Sequence, residues 1–351
     1  MMNKLFLTIL FITIWILSCP FTLNGQANLS VLSDTNTTVL HIDLGEVDDI
    51  YFDTAYNEIS SMLEGKDSLS IKRAVFLTEW AYLEGKLDYN TFCDSIDAAV
   101  TKLREFIKIN NLERYKTAGN FALFEYFTKP CPLNGNQPFT YDFEDFTGDI
   151  DCRKLFVTKV IETHTGQCTS LPLYYKILSD ELGAESFLAL APHHMYIKHI
   201  DEYDRWVNIE LTNGHFSTDA YMISSMSISA EAIKNKVYLD ALSQKESVAM
   251  LLSNLAAVYK KKYDYDDFTL RCNEKTLEYF PHYMHALFMK FNTLQKIGLA
   301  YIDKFGQTPS LFIDNNYKEY KELQKTIENF GYREITRENY EEWVRTIDVK
   351  V

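Results

Sequence analysis

The sequence predicts an α+β protein in which a small antiparallel sheet is set between two helical regions. Apolar residues recur at helical spacing over residues 48–127 and again after residue 224, whereas over 185–211 the period drops to two. The chain has 351 residues, 46% hydrophobic and 24% charged, with only 13 Gly and 8 Pro. That composition is globular, and the length suffices for a large buried core. Thirty-five Lys plus Arg against 49 Asp plus Glu leave a net charge of −14. So acidic a chain has no broad attraction for phosphate backbones, which sets nucleic acid aside as a partner.

The first segment, residues 1–27, reads as an export signal. Lys4 is its one early charge, and the apolar run 5–17 that follows is short of the roughly 20 residues a membrane-spanning helix needs. Gly25 and Ala27 offer small residues for cleavage, which places the protein in the periplasm, the cell envelope or the medium. Ile16-Leu17-Ser18-Cys19 is an alternative end, resembling a lipobox that would make Cys19 a lipid-bearing N-terminus and the only membrane contact. Residues 28–45, rich in Ser, Thr and Asn, are expected to form a tether.

Region 28–120 is expected to be helical. Ser70 can cap a helix carrying Val75, Leu77, Trp80, Ala81 and Leu83, and residues 89–109 align Phe92, Ile96, Ala99, Val100, Leu103, Phe106 and Ile107 on one face. Residues 129–150 concentrate Pro, Gly and Asn and read as a long irregular connection. A helix over 152–162 should break at Gly166, and a second should start near Cys168 and stop at Gly183. Runs 185–191, 194–200 and 206–211 then read as strands, with a turn at 201–204 and an end at Thr212-Asn213-Gly214.

Five cysteines follow the signal: Cys93, Cys131, Cys152, Cys168 and Cys272. None has zinc-site spacing, and an odd number leaves a thiol over. Cys168 has the neighbours to be that thiol. It opens a helix, where free N–H groups and the dipole favour a thiolate and offer an oxyanion donor. A nucleophilic thiol needs an imidazole and a group to orient it. His194 opens the second strand, and Glu210 shares one face of the third with Trp206 and Asn208. His193 is a second candidate base, Asn208 a second candidate orienter, and Asp219 an acid in another register. Gln167, next to the cysteine, is a further candidate. His164 and His199 read as surface or internally satisfied histidines.

The runs THTGQCTSLPLYYKILSDELG, HHMYIKH and RWVNIELTNG resemble the transglutaminase-like superfamily of papain-like cysteine enzymes. The resemblance covers about residues 121–222. It implies a papain-like core over 121–225, with Cys168 as nucleophile, His194 as base and Glu210 as orienter, where the family usually has Asp. The segment YDFEDFTGDIDCRKLFVTKVIETHTG resembles one branch of the superfamily, in which helices precede the core and tetratricopeptide-like helices follow. Some members of that branch lack the cysteine.

Over 226–351 further helices are expected. Leu252, Leu255, Ala256 and Tyr259, a turn, a second helix and Pro281 resemble one tetratricopeptide repeat. In a second unit, 34 residues on, Ala286 and Met289 match but Lys290 falls where Ala256 stood. Segments 315–330 and 337–347 complete the count. Such helices commonly present a groove for a peptide or protein partner. The implied activity is thiol-dependent transfer or hydrolysis at amide bonds of a protein or peptide, with no metal or organic cofactor. The rival expectation is a non-catalytic envelope protein that binds a partner; an adhesin or polysaccharide-binding lipoprotein ranks below both.

Overall fold

The computed structural model describes the backbone at 29–34 and 37–42, and residues 49–333 apart from 146, 307 and 309. The export segment with Cys19 and the helix expected at 337–347 lie outside the described residues. The chain is α+β, mostly helical, with a four-stranded antiparallel sheet and a two-stranded parallel one. Among the described residues no helix is long and apolar enough to cross a membrane.

The expected tether is instead largely a hairpin. Strands β1 (Leu29–Asp34) and β2 (Thr37–Ile42) pair antiparallel with Asp34 opposite Thr37. The Thr residues that helped the segment look like a polar linker, and the Val residues among them, have high strand propensity. Helices α1 (Ile50–Leu63), α2 (Ile71–Tyr82), α3 (Tyr89–Ile109) and α4 (Ala118–Thr128) follow. Each of the first three starts on a side-chain cap: Asp49 accepts from Tyr51 and Phe52, Ser70 from Arg73, and Asp88 from Thr91.

After α4 the chain is irregular, apart from a 3-10 turn at Pro132–Asn134 and the two-residue strand β3 (Thr140–Tyr141). The helix expected over 152–162 divides into a 3-10 turn, Cys152–Leu155, and α5 (Val157–Thr163). It ends before Gly166, because His164 takes the left-handed conformation and caps it. Gly166 lies in β4 (Thr165–Gly166), parallel to β3. Helix α6 (Ser170–Leu182) ends on left-handed Gly183 as expected.

The main sheet has the order β5-β6-β7-β8: β5 (Phe187–Ala191), β6 (His194–Ile200), β7 (Trp206–Glu210) and β8 (His215–Ser217). Asp201 makes the turn between β6 and β7, accepting from the N–H groups of Tyr203 and Arg205. β8 was not expected, since three residues are too few to show alternation. Two short helices follow, α7 (Asp219–Ser225) and α8 (Ala230–Lys234). Then come α9 (Gln244–Tyr263), α10 (Asp267–Tyr279), α11 (Met284–Phe305) and α12 (Leu311–Asn329).

The first helix packs against two helices of the C-terminal region. Phe52 of α1 meets Tyr259 of α9 and Phe268 of α10 edge-on, with ring centroids 5.1 and 5.8 Å apart. Around this aromatic cluster Asp53 pairs with Arg271 at 2.9 Å, Glu64 with Lys275 at 2.7 Å and Glu84 with Lys262 at 2.8 Å. Such exposed pairs are each worth about 1 kcal/mol or less, so burial of the rings provides most of the attachment.

A second tie runs from α2 to the segment that leads into the candidate site. Buried Glu79 accepts from the N–H of Val157 at 2.6 Å and from the N–H and hydroxyl of Thr158 at 3.1 and 2.7 Å. It thereby caps α5 from another part of the chain. Burial outweighs these hydrogen bonds and pushes Glu79 up from its ordinary 4.5 to about 7. A folded-state value above the unfolded one means stability is fully present below about pH 4.5 and declines as pH rises through about 7. The span corresponds to about 3 kcal/mol. Urea unfolding at pH 5 and pH 8 should therefore show wild type losing about 2–3 kcal/mol more than Glu79→Gln across that interval; equal slopes would refute the buried-carboxylate account.

Candidate active site

Cys168 lies in the turn that runs from β4 into α6. The N–H of Leu171 donates to the Gln167 carbonyl at 3.1 Å, which closes the turn holding Cys168 two residues before the helix begins. The N–H of Gln167 donates to Ser170 Oγ at 3.0 Å. Space on the β4 side is tight. A Cβ on Gly166 would stand 2.7 Å from Val160 Cγ2 and 2.9 Å from both Leu171 Cγ and Ser170 Oγ, so glycine is required for the close approach. Behind the turn Leu171, Tyr174, Tyr175, Ile177 and Leu178 are buried and hold α6 rigidly.

The imidazole and carboxylate arrive through strand geometry. β6 and β7 run antiparallel with Ile197 opposite Ile209 and Lys198 opposite Asn208. Alternation then places His194, Tyr196 and Lys198 on one face together with Asn208 and Glu210. The start of β6 meets the end of β7, and His194 Nε2 stands 2.6 Å from Glu210 Oε2. The second carboxylate oxygen accepts from Thr212, at 2.7 Å from its hydroxyl and 3.2 Å from its N–H. The longer reach of Glu is thus used at both oxygens. Thr212 was read only as a strand end; its position two residues after an acid, before Asn-Gly, is the signal of a side-chain-closed turn.

The Cys168 side chain lies near enough to the His194 ring to favour its protonated form. With Nε2 engaged by the carboxylate, Nδ1 is the nitrogen left for sulfur. The thiol also lies 3.8 Å from the carbonyl of His193. Burial by itself would depress the imidazolium, but the Glu210 charge, the neighbouring Cys168 side chain and the hydrogen bond that the ring donates to Glu210 raise His194 to about 10. Burial would likewise raise Glu210, and it is overcome by His194 and Thr212, so the carboxyl lies below its ordinary value. At neutral pH the pair is an imidazolium facing a carboxylate. All three side chains are more than nine-tenths buried.

The other candidates fall elsewhere. His193 sits at the β5–β6 turn with φ +55°, its residue exposed, and its carbonyl rather than its ring meets the thiol. Asn208 Nδ2 donates to Asp219 at 2.8 Å, and Asp219 also pairs with Lys198 at 3.0 Å. Both are therefore committed to a neighbouring cluster. Gln167 is fully buried beside Cys168. His164 stacks on Phe139, with Nδ1 2.9 Å from the Gln137 carbonyl, and His199 Nδ1 lies 3.2 Å from the Ile200 carbonyl. The five cysteines Cys93, Cys131, Cys152, Cys168 and Cys272 are all free thiols, so no disulfide engages Cys168. Among the described residues no three His, Cys, Asp or Glu side chains gather as a metal site. Comparison of the chain with protein-family models, curated proteins and solved structures gives no match.

Two measurements check this geometry. In Glu210→Gln the carboxylate charge is gone and Cys168 alone opposes burial, so the His194 titration followed by NMR should fall well below about 10; a value still near 10 would contradict the assigned partner. Gly166→Ala should cost about 1–3 kcal/mol in thermal or urea unfolding, as overpacking does in a filled core.

Proposed function

We propose that the chain is an exported, transglutaminase-like cysteine enzyme that breaks or exchanges amide bonds of a protein or peptide. The observation that carries this reading is the line of Cys168, His194 and Glu210, brought together from a helix start and two strands. Chance placement of three such residues would not also engage both oxygens of the acid, one by His194 and one by Thr212. The papain-like character of the core and the tetratricopeptide-like character of α9 and α10 belong to this proposal.

An imidazolium beside a thiol favours the thiolate, the nucleophilic form. In the first step sulfur forms a bond to the amide carbon. The C–N bond breaks, and the leaving amine takes the proton held on His194. An acyl-thioester and a neutral imidazole result. Glu210, held by Thr212, keeps the ring in the orientation that presents Nδ1 to sulfur.

The rival reading, a partner-binding module without catalysis, needs an open apolar face on the C-terminal helices. α9 instead buries Val248, Leu251, Leu252, Leu255 and Tyr259, and α1 covers it through the Phe52 contact. The apolar face of α9 is therefore used inside the fold.

The test is the alkylation rate of Cys168 against pH, in wild type and His194→Ala. The proposal expects fast reaction persisting below about pH 7 and slowed by the substitution. A profile that follows an ordinary thiol near pH 8.5 in both proteins would overturn it.

A further inference from the structure

We propose that the side chains of Lys198 and Asn208 become joined by an amide bond, a covalent staple between β6 and β7, with Asp219 carrying the protons. The bond is independent of the Cys168 chemistry above.

Lys198 stands directly opposite Asn208 in the register of β6 and β7. Directly opposed side chains leave the backbone from Cβ atoms about 4.5–5.5 Å apart. Both then meet the same atom: Asp219 Oδ1 accepts from Lys198 Nζ at 3.0 Å and from Asn208 Nδ2 at 2.8 Å. Two donors on one oxygen stand roughly 4–5 Å apart, and the amide carbon of Asn208 is one bond from Nδ2. A small swing of the flexible lysine stem brings amine and amide into reacting distance. An ordinary ion pair needs only the lysine and the acid. The amide on the same oxygen, facing the amine across the strands, is what this cluster adds.

The surroundings favour the reaction. Asn208 is 3% exposed and Lys198 4%, so water is kept from the amide. On its other side Lys198 faces Phe187 of β5, and its Nζ lies 5.7 Å from the ring centroid of Trp206. The Leu239 carbonyl accepts from Nζ at 2.8 Å and holds the amine in place. A buried ammonium is costly, and passing its proton to the adjoining carboxylate exchanges two charges for two neutral groups. Asp219 itself has a side chain 47% exposed, which gives protons and ammonia a way out.

The step balances. One proton passes from the Lys198 ammonium to Asp219. The freed lone pair of Nζ forms a bond to Asn208 Cγ, and the carbonyl electrons move onto its oxygen. Asp219 gives its proton to Nδ2, the carbonyl re-forms, and the Cγ–Nδ2 bond breaks with its electron pair on nitrogen. Ammonia leaves, and the second proton lost by Nζ goes with it as ammonium. One new amide remains. Cys93, Cys131, Cys152, Cys168 and Cys272 are free thiols, so this bond would be a cross-link of a different chemistry, placed to lock the register that brings His194 beside Glu210.

The experiment holds full-length protein at neutral pH, measures its intact mass, and then digests it with trypsin and fragments the peptides. The proposal expects wild type lighter by one ammonia than its sequence requires, and a branched peptide joining Lys198 to Asn208. It expects Lys198→Arg, which keeps the charge, and Asp219→Asn, which removes the proton carrier, to lose the branched peptide. A wild-type protein with no branched peptide would overturn it, including one whose ammonia loss maps to another residue. So would a species lighter by one water and joined from Lys198 to Asp219, or an undiminished cross-link in Asp219→Asn. Should the variants fold poorly, the wild-type peptide map decides alone.

Discussion

The contact between His194 and Glu210 is the constraint around which the middle of the molecule is arranged. Removing an imidazolium and a carboxylate from water is expensive, and their attraction offsets the cost only when the geometry is good and the remaining hydrogen-bonding capacity is met. Here the strand register supplies the geometry, and Thr212 supplies two further hydrogen bonds to Glu210. Everything on that sheet face follows the same rule. Lys198 is buried only with Asp219 and a main-chain carbonyl, and Asn208 only with Asp219. The result is two paired charge systems on one sheet face, His194 with Glu210 beside the thiol and Lys198 with Asp219 further along the strands.

The thiol is positioned by different physics. It owes its place to packing: a glycine with no room for a side chain, a serine that fixes the preceding N–H, and a helix body buried along most of its length. A rigid nucleophile thus meets a base held electrostatically, with each half supported by its own part of the chain. Glu79 adds a long-range support, since α5 leads directly into β4 and the cysteine turn, and its first N–H groups are capped from α2.

Much of this was legible beforehand, and what was missed has physical reasons. Residues 89–109 announced their helix because a 21-residue amphipathic pattern follows an Asp cap. Strand β6 was legible to the residue, and so was the Gly183 stop. Cys168, His194 and Glu210 stood out because their residue types and spacing resembled a known family. By contrast, β8 is too short for periodicity to register. The Ser/Thr-rich hairpin at 29–42 has the composition of a linker. His164 ended a helix by adopting φ +55°, a choice that residue type alone does not announce. The partners of Glu79, Asp219 and Asn208 depend on tertiary contacts between segments far apart in the chain, to which local pattern is blind.

The packing of α1 against α9 and α10 also bears on how the protein is made. Asp53 and Arg271 are 218 residues apart, so the N-terminal helices emerge from the ribosome long before their partners exist. Until then α1 exposes the Phe52 face with nothing to cover it, and α2 lacks the rest of its bundle. Closing contacts of such long range is slow and leaves apolar surface open in the interval. The chain therefore behaves as a loop drawn shut late in synthesis: α1 is fastened only once α9 and α10 have been made, and a fragment lacking either partner inherits an exposed seam.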